Sequence, residues 1–421
     1  NNALSKSEAL GSNFLCPVDR SSCGSRFGSN HADPRVGGWG GLLLLFAAPA
    51  PVLAQAKTID GASLPRLSLS MPAQYGGLYK YAVSPDGKKV AGASWIARGS
   101  SNDGSPERSI GGEVFLWDPR KGAITKTLGT HDENPIWLRF TDDGKTLASY
   151  SDKDHTLKLW KMTGKKPKAV IELAGPCGLN SLPRMSANGE TFVHLIHRDL
   201  PIGENGVEAG HVLVCWDLKK KKRAWGITAE GPMESLGVEY GISPDGEKVV
   251  VFLRHIEWRE EEGRGRGEHG ETYHALLDAK TGEEVWRVDI EDGRALSKRP
   301  FPGKHVMFTP NGEEVLSVGM SWIRRYSAAT GEPLGEKIEL KAEKSIDNVF
   351  FNEDGDRILV DRFFGGRLDY YAFPTGVHEF SVQFERPAKF DDAAPSGNLR
   401  KVAGRAGFDP IVLDLSKLLG K

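Results

Sequence analysis

The chain has 421 residues with 55 Lys and Arg against 56 Asp and Glu, a net charge of -1. That balance gives no global pull toward nucleic acid or an anionic membrane surface. Its 39% apolar content suffices for a large buried core, and no run reaches the roughly 18 apolar residues of a membrane-spanning helix.

Residues 1–34 are polar, rich in Gly and Ser, and carry Cys16 and Cys23. Residues 37–54 then read GGWGGLLLLFAAPAPVLA, with Arg35 just before them. The apolar centre, Leu42 to Ala48, is short and is followed by Pro49 and Pro51, while Val52 and Ala54 suit a signal peptidase. This pattern predicts a secretory signal cleaved after Ala54 or Ala56, with a buried strand or apolar linker as the alternative. Residues 1–56 are therefore expected to be leader plus signal and 57–421 a single exported domain, periplasmic or extracellular. No Cys stands at the cleavage point to carry a lipid anchor. The two remaining cysteines, Cys177 and Cys215, could pair in an oxidising compartment, while Cys215, inside the apolar run HVLVCW, reads first as a buried free thiol.

From Tyr79 onward a turn unit recurs seven times. It reads SPDG at Ser84–Gly87, TDDG at Thr141–Gly144, SANG at Ser186–Gly189 and SPDG at Ser243–Gly246. TPNG at Thr309–Gly312, NEDG at Asn352–Gly355 and a worn copy, APSG at Ala394–Gly397, follow. Apolar runs lead into all but the worn copy, and β-branched runs follow most. Asp-Gly or Asn-Gly between two such runs signals a tight hairpin, because Gly supplies the positive φ without strain. A hairpin recurring at a core period of about 43 residues predicts a radial array of small sheets.

The second unit shows the pattern in full: strands over Ile136–Phe140, Lys145–Tyr150, Thr156–Trp160 and Lys168–Leu173, with a polar turn at Asp152–His155. Here the chain resembles the WD-repeat propeller family, through DHTLKLW at Asp154–Trp160, the pairs Trp117-Asp118 and Trp216-Asp217, and the SPDG turns. The resemblance covers most of Tyr79 to Leu415. It departs at Trp160-Lys161, Leu277-Asp278 and Arg325-Tyr326, where the Trp-Asp pair is lost, and Gly129-Thr130-His131 meets the family's Gly-His only loosely. It implies an all-β, seven-bladed propeller of four-stranded antiparallel blades. It also implies a structural tetrad of His131, Asp154 and Trp160 with Ser149 or Ser151. Strand counting then leaves the last blade one outer strand short after Ile411–Leu415. Pro65–Met71 (PRLSLSM) is expected to supply it and close the ring.

The long intervals place their excess between second and third strands, at Arg98–Gly112, Pro201–Gly210 and Arg259–Glu271. Three insertions on one rim of a stiff disc form a candidate binding face. Its candidate residues are Arg98, Arg108, Arg259, Arg264, Arg266 and His269, joined by Arg294, Lys298, Arg299 and Phe301 of the next inter-blade connection. Basic groups around an aromatic suit an acidic or phosphorylated partner, whereas mixed signs also suit a solvated loop.

Other motifs dissolve in context. GRGEHG at Gly265–Gly270 precedes a strand rather than a helix, so it offers no pyrophosphate site. His197–Leu200 spells HRDL without the rest of a kinase. No H-E-x-x-H, paired C-x-x-C or G-x-S-x-G occurs, so no metal, cofactor or catalytic set is assigned. His255, His269 and His274 are expected to face solvent. DAKTGEEVW at Asp278–Trp286 resembles the tryptophan-docking repeat of quinoprotein propellers, which there ties blades together, and SAATGEPL at Ser327–Leu334 is a partial copy. The expected function is a non-catalytic, monomeric scaffold that binds another protein. The alternatives are a propeller enzyme with a site in the central funnel and a glycan-binding module.

Overall fold

The computed structural model describes residues 56–420 apart from 71–74, 97, 101–105, 108–110, 165, 174–181, 203–205, 230–235, 262–263, 291–304, 341–344, 363–365, 385–389 and 407–408. The proposed leader, signal segment and Cys177 fall outside these residues.

Seven antiparallel sheets follow one another along the chain. Blade one holds Tyr75–Val83, Val90–Ile96, Gly112–Asp118 and Ala123–His131. Blade two holds Pro135–Phe140, Thr146–Ser151, Thr156–Lys161 and Pro167–Glu172. Blade three runs from Arg184–Met185 through Thr191–Ile202 and Gly206–Asp217 to Lys222–Ala229. Blade four runs from Leu236–Ile242 through Lys248–Glu261 and Arg264–Asp278 to Glu284–Asp289. In blade five come His305–Phe308, Glu314–Val318, Trp322–Ser327 and a short outer Ile338–Glu339. In blade six come Ile346–Phe351, Arg357–Arg362, Arg367–Ala372 and His378–Gln383. Blade seven contributes Phe390–Pro395, Lys401–Ala406 and Asp409–Asp414. Among the described residues the only helix is one 3₁₀ turn, Gly61–Ser63.

Each turn unit joins the first strand of its blade to the second by a repeated hydrogen-bond pattern. Ser84 Oγ donates to Asp86 Oδ1 at 2.7 Å, and the Lys89 amide donates to Ser84 Oγ at 2.9 Å. The Gly87 amide closes the turn on the Ser84 carbonyl at φ +65, a left-handed conformation that favours glycine. Thr141 with Asp143, Ser243 with Asp245 and Thr309 with Asn311 repeat the side-chain pair.

The seventh turn differs from the expected Ala394–Gly397. Ser396 Oγ donates to Asn398 Oδ1 at 2.8 Å, and the Leu399 amide closes on the Ser396 carbonyl at 2.9 Å. The turn is therefore Ser396–Leu399, with Leu399 at φ +56 in the place of glycine. The hydroxyl-to-amide pair sets the frame, and Gly397 is only its second residue.

The core lies between blades. Seven apolar clusters each draw on two neighbouring blades, among them Trp137, Tyr150, Phe192 and Trp216 between blades two and three. Val90 and Trp117 of blade one pack with Ala403 and Val412 of blade seven, which closes the circle. Burying one such large side chain stabilises the fold by about 2–3 kcal/mol.

Arg66–Ser68 supplies the missing outer strand of blade seven, antiparallel to the third strand, with Arg66 opposite Leu413 and Ser68 opposite Ile411. Trp117 Nε1 donates to the Ser70 carbonyl at 2.9 Å and ties this segment to blade one. One pairing has no counterpart in the sequence reading. Lys57–Asp60 adds a fifth strand to blade six, parallel to His378–Gln383.

Candidate interaction surface

Because every turn unit joins first to second strand, each second-to-third connection leaves from the opposite end of the disc. The three insertions all lie in such connections. In blade one, Arg98–Ser100 pairs with Pro106–Glu107 as a separate ribbon, with Arg98 opposite Glu107. In blade three, Thr191–Ile202 and Gly206–Asp217 stay paired as far as Ile202 and Gly206. In blade four, Lys248–Glu261 and Arg264–Asp278 stay paired to Glu261 and Arg264, past an irregularity between Arg254 and Ile256.

Two insertions read from sequence as loops are thus continuous β-hairpins. Blade two turns back after six residues in its second strand, whereas blade four uses 14. At about 3.3 Å per residue the longer hairpin reaches some 25 Å further. Glycines and mixed charges suggested a loop, yet a strand ladder carried on past one irregularity satisfies the backbone better.

The expected site residues separate accordingly. Arg259 stands opposite Arg266, Arg264 opposite Glu261 and His269 opposite Ile256 in the blade-four hairpin. Arg108, Arg294, Lys298, Arg299 and Phe301 lie outside the described residues, as does most of the connection that was to flank this hairpin.

The tetrad residues meet in blade two. His131 Nε2 lies 2.7 Å from Ser149 Oγ, which accepts from Trp160 Nε1 at 2.8 Å. His131 Nδ1 lies 3.0 Å from Asp154 Oδ2. Burial lowers the His131 pKa, against the opposing pull of Asp154. In blade three the position of Ser149 is taken by His194, whose Nε2 accepts from Trp216 Nε1 at 3.2 Å. Both assemblies pin a third-strand indole to the second strand, and Ser149 and His194 are fully buried.

Trp286, singled out with the docking repeat, donates from Nε1 to the Ala328 carbonyl of blade five at 3.0 Å. Trp225 of blade three makes the matching bond to Ala279 of blade four at 2.9 Å and lies over Gly282, where a Cβ would come within 2.9 Å of its ring. Sequence reading missed Trp225, although DLKKKKRAW at Asp217–Trp225 has the same Asp-to-Trp spacing as DAKTGEEVW.

His274 is a correction, being 1% exposed rather than solvent-facing. It packs between Phe252 and Tyr326, and neither ring nitrogen finds a hydrogen-bond partner. Burial pushes its pKa down to about 3, against a lesser opposing contribution from the Val251 backbone. Cys215 is free and buried, with its thiol pushed up to about 12 by desolvation.

One cluster in blade six superficially resembles a hydrolytic set. Ser381 Oγ lies 2.9 Å from His378 Nε2 and donates to Asp369 Oδ1 at 2.6 Å. The carboxylate holds the serine rather than the far side of the imidazole, and Ser381 is fully buried, so no nucleophile is presented. Asp369 also accepts from Arg362 at 2.8 Å and Arg367 at 2.6 Å, which makes the group an internal ionic network. Among the described residues no group of three or more His, Cys, Asp or Glu is placed to hold a metal ion.

No family model matches the chain, and no curated protein matches it. Solved structures do share its fold. The β-propeller domain of Myceliophteria thermophila Cps50 (Swd1) superposes with a TM-score of 0.53 at 13% identity, covering 83% of this chain and 99% of that one. Kuenenia stuttgartiensis hydrazine synthase gives a TM-score of 0.52 at 12% identity, covering 82% of this chain and 97% of that one. At these identities the likeness is one of fold, and the fold is a seven-bladed β-propeller.

Proposed function

We propose that the propeller is a non-catalytic scaffold that binds another protein through the end of the disc bearing the long hairpins. The observation that carries this reading is the pair of extended hairpins in adjacent blades three and four. An ordinary blade needs no such extension to pack its core, so the added length serves something beyond the disc. The ring braces these hairpins with seven inter-blade clusters, which suits display of a fixed surface.

Charge reversal at Arg264 and Arg266 tests the reading. Substitution to Glu at both positions is expected to weaken partner capture and to change the unfolding free energy by no more than about 0.5 kcal/mol. Added salt is expected to weaken capture too, because exposed charges are screened beyond roughly 8 Å at physiological ionic strength. Capture indifferent to both would place the function elsewhere.

Export belongs to the same proposal. The first strand begins at Lys57, directly after the expected cleavage positions Ala54 and Ala56. N-terminal sequencing of the product from a secreting host is expected to read from Gln55 or Lys57. A product keeping residues 1–54 would refute it.

A further inference from the structure

The end of the disc that carries the turn units also carries the connections between third and fourth strands, because successive strands alternate in direction. Those connections differ in charge from blade to blade. Residues 161–168 of blade two read KMTGKKPK, and residues 217–223 of blade three read DLKKKKR. With the adjoining turn units, residues 141–145 and 186–190, these neighbouring blades present ten Lys and Arg against four Asp and Glu. The same turns of blades four and five, residues 243–247, 278–284, 309–313 and 327–333, hold one Lys against seven acids. In a chain of net charge -1, basic groups are thus gathered on one sector of one end.

Both basic connections are fixed to the disc. The Met162 amide donates to the Lys145 carbonyl at 3.0 Å, and the Leu218 amide to the Glu190 carbonyl at 2.8 Å. Leu218 is also buried in the cluster between blades two and three. Lys219 pairs with Glu190 at 2.6 Å and Lys220 with Asp217 at 2.9 Å. Lys161, Lys166, Lys168, Lys221 and Lys222 are exposed and, among the described residues, pair with no carboxylate. One of them is held against its backbone preference. In blades one, four, five and six this connection closes on Gly122, Gly282, Gly331 and Gly376, with φ between +64 and +78. Blade three puts Lys221 there, four residues after Asp217, at φ +52. A left-handed backbone strains a residue that has a side chain, so this connection keeps a charge where glycine would be the more stable choice.

We propose that the basic sector of blades two and three docks on an anionic phospholipid surface, with the hairpin end of the disc turned away from it. Both clusters stand at one end of a stiff ring and so meet a flat surface together. Nine of the ten basic groups are lysines, compact hydrated charges suited to diffuse attraction by a charged sheet. Neither connection contains an aromatic residue on which a nucleic-acid base could stack. The sector is at the opposite end of the disc from the long hairpins and is independent of the protein-binding proposal.

Co-sedimentation of the full chain with vesicles of phosphatidylglycerol and phosphatidylcholine in equal parts tests it. Vesicles of phosphatidylcholine alone are the control for the apolar run at residues 42–48. Stronger binding to the anionic vesicles is expected, and its loss at about 0.5 M salt. A lysine near an anionic surface contributes about fivefold, so Lys221→Gln with Lys222→Gln should weaken binding about 25-fold, as should Lys166→Gln with Lys168→Gln. Lys221→Gly should melt at a higher temperature than the parent and yet bind the anionic vesicles about fivefold less. Near-ultraviolet circular dichroism of each variant checks that the blades remain packed. Equal sedimentation with both kinds of vesicle, or folded glutamine variants that bind like the parent, would overturn the proposal. So would retention by a duplex oligonucleotide or by polyglutamate without vesicle binding, which would give the sector a different partner.

Discussion

At the seventh turn Leu399 holds φ +56 while its side chain is fully buried with Leu359, Tyr370 and Leu413. The left-handed backbone costs a non-glycine residue roughly 1–2 kcal/mol, whereas emptying a buried leucine site costs about 2–5 kcal/mol. Leu399→Gly is thus expected to lower unfolding free energy by about 2 kcal/mol in urea titration, although it relieves the backbone. A gain in stability would show that the turn, not the packing, governs this position. The buried histidines make a second prediction at this scale. His194 and His274 are both pushed down to about 3 by burial, while an unfolded histidine titrates near 6.5. Between those values the unfolded chain binds more protons, so stability is full above about pH 6.5 and falls as pH drops toward 3. His274→Phe, which suits the Phe252 and Tyr326 surroundings, should flatten this fall in melting temperature between pH 7 and 4. An unchanged slope would assign the acid sensitivity to other groups.

At the scale of the element, ring closure depends on a short N-terminal stretch. Lys57–Asp60 and Arg66–Ser68 cover the outer edges of blades six and seven. Removing residues 57–70 leaves His378–Gln383 and Asp409–Asp414 as open edges that invite pairing with other chains. The truncated protein is expected to melt at lower temperature and to scatter light on warming; equal behaviour would mean the ring closes without them. The closing strand on blade seven was legible because counting strands left a vacancy beside Ile411–Leu415. Lys57–Asp60 was not, because a parallel pairing with a strand more than 300 residues away has no turn to announce it. The six regular turns and the blade-two tetrad were legible for the opposite reason, since the turns' small polar side chains and glycine, and the tetrad's hydroxyl, carboxylate and indole, stand at short, fixed spacings. The worn turn misled because its glycine drew the eye from the Ser396 and Asn398 pair.

At the scale of the whole molecule, the ring is a stiff frame in which every blade interface carries its own apolar cluster. Indole bonds from Trp225 and Trp286 tie blades three and four, which bear the long hairpins, to each other and to blade five. Bracing and the long hairpins therefore coincide on one side of the ring. The central claim is that the hairpin end binds and the rest supports it. Replacing residues 257–268 by an Asn-Gly turn joins Ile256 to its ladder partner His269 and shortens the blade-four hairpin without touching the inter-blade core. Affinity capture with this variant and the parent, at matched folding, is the most direct measurement. The account predicts that the shortened protein keeps its melting temperature and loses the captured partner; equal capture by both proteins would contradict it.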